Sequence, residues 1–320
     1  MKAAVYKKYG SPEVLQIIEM ENPLPKSNEV LVSIKASSVT RADTMMRLGT
    51  PKFGRLFLGL LKPKNILLGT GFSGIVKEVG TGVKKFKIGD AVFGEKLFSN
   101  GCNAEYLCIA EDMVVELKPN NISHTQAAPI CDGFLTSYNF LKDIANIKQD
   151  QHILINGASG SLGTAAVQLA KVLGAKVTGV CSTKNVNFVK SLGADKVIDY
   201  KNEDFTSLDY TYDVIYDSVG TLRYKKCKNT LNPNGVFMSP VLSFEILYQL
   251  IVNSKKVKFA ATGIKKTKDL KRLFNDLVQF FKQGKLHTNI DRTYKLSEIV
   301  EAHQYLETGR KVGNITIINQ

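Results

Sequence analysis

The sequence predicts an α/β protein in which a doubly wound parallel sheet follows an all-β segment of barrel type. Three observations predict it. The first 120 residues hold short alternating apolar runs punctuated by glycine, the pattern of paired strands. From about residue 123 the rhythm changes to strand and helix in turn, the order that builds a parallel sheet. Between an apolar run at 152–156 and an amphipathic stretch lie Gly157, Gly160 and Gly163. At 320 residues the chain also exceeds one ordinary core, so two domains are expected.

The strand runs of the first part are 2–6, 14–20, 29–38, 72–79, 89–94, 104–109 and 113–117. Between 40 and 70 the alternation breaks into a segment that reads as irregular. It carries Arg41, Arg47, Lys52, Arg55, Lys62 and Lys64 with apolar residues between them. Long irregular segments in compact domains tend to be functional. The strands of the second part are 152–156, 176–180, 213–216, 235–238 and 257–261. Leu162, Ala166, Leu169 and Leu173 mark one face of the first helix, which Gly174 stops. The run 242–252 is apolar but short and contains Glu245, so a packed helix is expected there. A helix at 269–281, an extended stretch at 286–294, a helix at 297–306 and a strand at 314–318 complete the chain.

A formal charge of +14 is spread over the whole length, which points to a basic surface attractive to phosphates. No run of about 18 apolar residues is present to span a bilayer, and a membrane is not an expected partner. The residues after Met1 lack the order of a secretory signal, and the expectation is cytoplasmic. Cys102, Cys108, Cys131, Cys181 and Cys227 are scattered, with no CxxC pair, and read as reduced thiols.

The turn NGASGSLG carries the first chemistry. Glycine permits the tight bend, lets a pyrophosphate approach the backbone and lets the helix pack on the sheet, while the helix N-terminus offers amides to the anion. With a strand before and a helix after, Gly157, Ser159, Gly160, Ser161, Leu162 and Gly163 read as a dinucleotide-binding turn of Rossmann type. An NAD site places an acidic residue at the end of the second strand. Here stand Ser182, Thr183, Lys184 and Asn185, which favour NADP(H) through a 2′-phosphate. Ser182 capping the next helix, with Lys184 merely solvated, is the alternative.

The chain resembles the medium-chain dehydrogenase/reductase superfamily, and within it the zinc-free quinone oxidoreductase and enone reductase branch. The resemblance spans nearly the whole chain, in KAAVYKKYGSPEVLQI, VLVSIKASSVTRADTMMRLG, GTGFSGIVKEVGTGVKKFKIGDAVFG, AEYLCI, GFLTSY, GASGSLG, KSLGADKVIDY and GRKVGNITII. It implies a discontinuous GroES-like catalytic domain, 1–122 with 266–320, and a Rossmann NADP(H)-binding domain, 123–265. It also implies that Tyr200 lies beside the cofactor, although Tyr200 closing a strand edge stays open, and that Thr136 lies by the nicotinamide.

Zinc members of the superfamily carry a cysteine after the strand corresponding to 30–36 and a Gly-His-Glu in the next motif. Here those places read SSVTRAD and Gly69, Thr70, Gly71, while Cys131 and Asp132 fall near the third ligand position. Catalytic zinc takes about three protein ligands, so no zinc is expected. Without a Lewis acid, conjugated acceptors are favoured: quinones and α,β-unsaturated carbonyls delocalise the arriving charge. Candidate donors to that charge are Thr40, Arg47, Thr136 and Tyr138, with Thr40 standing where quinone oxidoreductases carry Asn. Two further readings stay open: a nucleotide-binding module whose basic surface meets RNA or a protein, and a zinc-type alcohol dehydrogenase. A homodimer and a monomer are equally compatible with the sequence.

Overall fold

The computed structural model describes residues 1–96 and 101–319, and of Phe57 only its backbone. The chain forms two compact units, residues 1–132 with 267–320, and residues 133–266.

The first unit is built on the eleven-residue strand Glu29–Val39. Its Val30, Val32 and Ile34 alternate into a core with Phe72, Val76, Val92, Leu107, Ile109 and Val115, so the strand is fixed in register on its buried face. Gly71–Val79 pairs with it antiparallel, and Ala91–Glu95 pairs with Gly71–Val79. Tyr106–Ala110 pairs with residues 29–33 of the long strand. Asn314–Ile318 pairs with residues 36–39, which draws the end of the chain into the same sheet. Ala4, Tyr6, Leu15, Val39, Ile299, Ile315 and Ile317 form a second core there.

The segment 40–70 is more ordered than the sequence suggests. Arg41–Leu48 is a helix opened by a capping box in which Thr40 and Asp43 satisfy each other's backbone amides, and Gly49 closes it in the left-handed conformation. The polar stretch TRAD hides this start among residues that also suit a loop. A short helix, Arg55–Leu58, follows. At the other end, a tight turn at Leu296–Glu298 delays the helix expected from 297, which runs Ile299–Glu307.

The second unit is one six-stranded sheet in the order Lys196–Asp199, Lys176–Cys181, His152–Asn156, Tyr212–Asp217, Leu231–Ser239, Val257–Phe259. All five pairings are parallel. Strand order reverses between His152–Asn156 and Tyr212–Asp217, the switch point at which open α/β sheets receive ligands. The four-residue strand Lys196–Asp199 is too short for its alternation to register in the sequence. The run 242–252 is indeed helical, as Phe244–Val252, but only partly packed, since Phe244 and Ile251 are 93% and 77% exposed.

Candidate functional site

In the second unit the strand His152–Asn156 is buried from Ile153 to Asn156, with Ile153, Leu154 and Ile155 its apolar centre, and the chain then turns through Gly157 at φ +76°. A Cβ at Gly157 would stand 2.1 Å from Val219 Cγ2, so both backbone and space require glycine. Gly163 is demanded by packing instead: a Cβ there would meet the Gly157 carbonyl oxygen at 2.1 Å. The helix Ser161–Val172 therefore sits directly on the turn, and its N-cap, Gly160, has no side chain to cover the first-turn amides. That arrangement is an anion cradle. The floor is pinned at the switch point, where Asn156 Nδ2 donates to Asp217 Oδ1 at 2.8 Å. The same carboxylate accepts from the amides of Gly220 and Leu222 at 3.0 and 2.8 Å.

At the end of the second strand the predicted residues separate by role. Asn185 is buried, and its Nδ2 donates to Ser159 Oγ at 2.9 Å and to Ser182 Oγ at 3.3 Å, so it ties the glycine turn to the next loop. Thr183 and Lys184 are exposed, Ser182 is half-buried and Tyr200 is 60% exposed. Sequence reasoning missed Asp199, at the end of the third strand. Thr183 and the Lys201 amide, with Asn202, hold this carboxyl below the usual range. The only sequence signal for it is the DY that ends KSLGADKVIDY.

In the first unit three side chains meet at the places that the resemblance aligns with the ligand positions of zinc members. Ser38 Oγ and Thr70 Oγ1 each donate to the Asp132 carboxylate, and the Gly71 amide donates to Ser38 Oγ at 3.2 Å. A Cβ at Gly71 would lie 2.3 Å from the Ala128 carbonyl oxygen and 2.8 Å from both Asp132 Oδ2 and Ser38 Oγ, so this network leaves no room for a side chain there. Next to it, the fully buried Asp43 accepts from the Thr40 amide at 2.7 Å, Thr40 Oγ1 at 2.8 Å and the Gly69 amide at 2.9 Å. Burial outweighs these bonds and raises the Asp43 carboxyl. Burial also raises Asp132 to about 7 against the lowering pull of Ser38 and Thr70, and raises Glu95 to about 8 with help from the Asp132 charge. Lys311, another residue missed in the sequence, is pushed down to about 8 by burial, although Asp291 and Asp132 favour its charge.

The four expected donors are not equivalent. Thr40 and Thr136 are half-buried, with Thr40 Oγ1 already engaged by Asp43. Arg47 is fully buried, its guanidinium donating to the Gly10 carbonyl and paired with Glu307, so it braces the first unit and is not offered to a substrate. Tyr138 is likewise buried, at 1% exposure, inside the second unit.

Two family models match: an alcohol dehydrogenase GroES-like domain over residues 26–119 and a zinc-binding dehydrogenase over residues 192–317. A chloroplast envelope quinone oxidoreductase homolog of Arabidopsis thaliana is 31% identical over 99% of this chain and 98% of its own. A 2-methylene-furan-3-one reductase of Solanum lycopersicum is 33% identical over 99% of this chain and 79% of its own. The chain belongs to the medium-chain dehydrogenase/reductase superfamily, in its quinone oxidoreductase and enone reductase branch. Among solved structures of this superfamily, Escherichia coli quinone oxidoreductase complexed with NADPH aligns over 100% of both chains, with TM-score 0.85 and 29% identity. The chain is thus an oxidoreductase of the superfamily, with the Rossmann and GroES-like parts that the sequence implied.

The zinc that the second family model's description implies does not fit the residues present. Two of the three side chains at the expected positions are neutral hydroxyls, both donating to the third. Burial raises the neighbouring Cys131 thiol well above its usual range, away from the thiolate that binds metal.

Proposed function

We propose that this chain is a zinc-independent, NADPH-dependent reductase of quinones and α,β-unsaturated carbonyls. The observation that carries the reading is the Ser38–Asp132–Thr70 network, a hydrogen-bonding group standing where zinc members hold their ligands. NADPH, when bound, supplies the hydride. The turn from Gly157 to Gly163, with Ser159, Ser161 and Leu162, holds its pyrophosphate, and Ser182, Thr183, Lys184 and Tyr200 face its 2′-phosphate end; Asn185 positions both. The cofactor role falls to the second unit and the acceptor role to the first, with Thr136 beside the nicotinamide.

An acceptor gaining hydride develops negative charge on oxygen, and without a Lewis acid that charge must be met by hydroxyl, acid or water donors. The half-buried Thr136 is the hydroxyl donor in this scheme, whereas Thr40 already gives its hydroxyl proton to Asp43 and acts by positioning that carboxyl. The reduction also takes up a proton, and Asp132, raised to about 7, holds one near neutrality at its carboxyl oxygen. Arg47 and Tyr138 act as positioning residues in this scheme. The five cysteines are all free and buried, which suits a reducing, cytoplasmic setting.

Matched pairs of acceptors test the proposal. With NADPH saturating and a chelator present, kcat/KM for a conjugated acceptor is expected to exceed that for its saturated ketone analogue by at least about a hundredfold, some 2.7 kcal/mol of barrier. Comparable turnover of saturated ketones, or activity lost to the chelator and restored by zinc, would overturn it.

A further inference from the structure

The segment 52–64 of the first unit displays apolar side chains that the fold does not bury. Phe53, Leu56, Leu60 and Leu61 are 58%, 68%, 66% and 89% exposed. Their exposure is not a consequence of a loose backbone, because polar bonds fix the segment. Tyr9 Oη donates to the Gly59 carbonyl at 2.6 Å, and the Lys64 amide donates to the Leu58 carbonyl at 2.7 Å. The Arg55 guanidinium donates to the Gly49 and Leu48 carbonyls at 3.0 and 3.1 Å and lies 4.4 Å over the Tyr9 ring. Gly59 bends at φ +120°, where a Cβ would strike the Lys62 carbonyl oxygen at 2.0 Å. The backbone is shaped first and the leucines are left facing water. Four large apolar side chains left exposed within one short, fixed segment mark an interaction site.

Charge identifies the partner. Between Asp43 and Glu78 the chain has no acidic residue, while it carries Arg47, Lys52, Arg55, Lys62, Lys64 and Lys77. Lys52, Lys62 and Lys64 are exposed within the same thirteen-residue segment as the apolar residues, and Lys7 and Lys8 are exposed just before the Tyr9 that holds Gly59. Exposed apolar side chains interspersed with exposed lysines in one segment suit the boundary of an anionic bilayer, where leucine and phenylalanine enter the acyl region and lysines reach the headgroups. A second copy of the chain fits poorly, since a two-fold contact would set the exposed Lys52, Lys62 and Lys64 against their own copies.

We propose that residues 52–64 form a membrane-surface anchor that inserts Phe53, Leu56, Leu60 and Leu61 into the interface of an anionic bilayer. The segment lies on the membrane and does not cross it; among the described residues no helix is long and apolar enough to do so. The anchor revises the expectation that a membrane is no partner, and it stands independently of the reductase reading.

The whole chain is tested by sedimentation with vesicles of phosphatidylcholine alone or with about one-third phosphatidylglycerol. Partitioning into the anionic vesicles is expected to be at least ~10-fold stronger at low salt and to weaken as salt rises. Since the chain contains no tryptophan, Leu61→Trp gives a single reporter whose emission should shift to the blue on anionic vesicles only. Leu60→Ser with Leu61→Ser should reduce partitioning ~10-fold or more and leave NADPH-dependent turnover of a water-soluble acceptor unchanged. Each of these outcomes overturns the proposal: an unshifted Leu61→Trp emission, vesicle binding indifferent to the double substitution, or self-association that the double substitution abolishes while vesicles go unbound. A raised KM for the soluble acceptor with vesicle binding intact would make the segment a substrate lid and sink the anchor equally.

Discussion

Lys184 and Asn185 are neighbours that the fold uses in different ways. Asn185 is buried and binds Ser159 and Ser182, so its loss would disturb the glycine turn for either cofactor. Lys184 is exposed at the tip of the Thr183–Asn185 turn. Its proposed partner exists only on NADPH, and a hydrogen bond to a charged group contributes about 1.5 to 3 kcal/mol. Lys184→Ala is therefore expected to weaken NADPH binding roughly tenfold or more while leaving NADH binding nearly unchanged. Titration of both cofactors by fluorescence decides it, and equal losses would remove Lys184 from the phosphate site. Arg47 shows the opposite case. A basic residue in a motif reads as a donor, yet its surroundings bind its guanidinium to Gly10 and Glu307.

Among the elements, the helix Ser161–Val172 depends most on one residue. Gly163 is pressed against the Gly157 carbonyl, so even a methyl group must push the helix off the turn. Gly163→Ala should destabilise the protein by about 1 to 3 kcal/mol, as overpacking of a well-filled site does. Because the same displacement withdraws the first-turn amides, NADPH affinity should fall at least about tenfold as well. Thermal unfolding without cofactor, alongside NADPH titration, separates the two effects. Wild-type affinity in the variant would show that the helix end is not the pyrophosphate site. Thr40 acts at this scale too: its capping box starts the Arg41–Leu48 helix and links it to Asp43, which in turn holds the Gly69 amide.

For the whole molecule, acid stability has a named contributor. His303 is fully buried, and burial with the nearby Arg47 charge pushes its imidazole down to about 3. Unfolded, the ring titrates near its ordinary 6.5. Between those values the unfolded chain binds the proton and the folded chain refuses it, so stability falls as pH drops below about 6.5, by up to ~1.4 kcal/mol per pH unit for this one group. Asp132 and Glu95, both raised, act with the opposite sign over pH ranges that overlap the histidine's, and only a difference measurement isolates the histidine. Denaturant midpoints from pH 4 to 8 for the native chain and for His303→Gln should diverge on the acid side, with the variant less sensitive. Parallel curves would assign the acid sensitivity to other groups.

Period and glycine spacing alone determined a great deal here: the all-β start, the βα series, the turn from Gly157 to Gly163, and the absence of an acid at residues 182–185. These are local patterns, and the backbone obeys them wherever the chain goes. The superfamily motifs carry the same information in a more specific form. What only the tertiary structure decided is long-range. Ser38, Thr70 and Asp132 lie far apart in sequence, and their meeting follows from strand pairing. Lys311, just before the last strand, comes within reach of the Asp132 charge because that strand pairs with the Glu29–Val39 strand. The burial of Arg47 and Tyr138, and the exposure of Leu60 and Leu61, are equally invisible to a pattern. Burial is set by what the rest of the chain packs against a residue, and a local period does not record it.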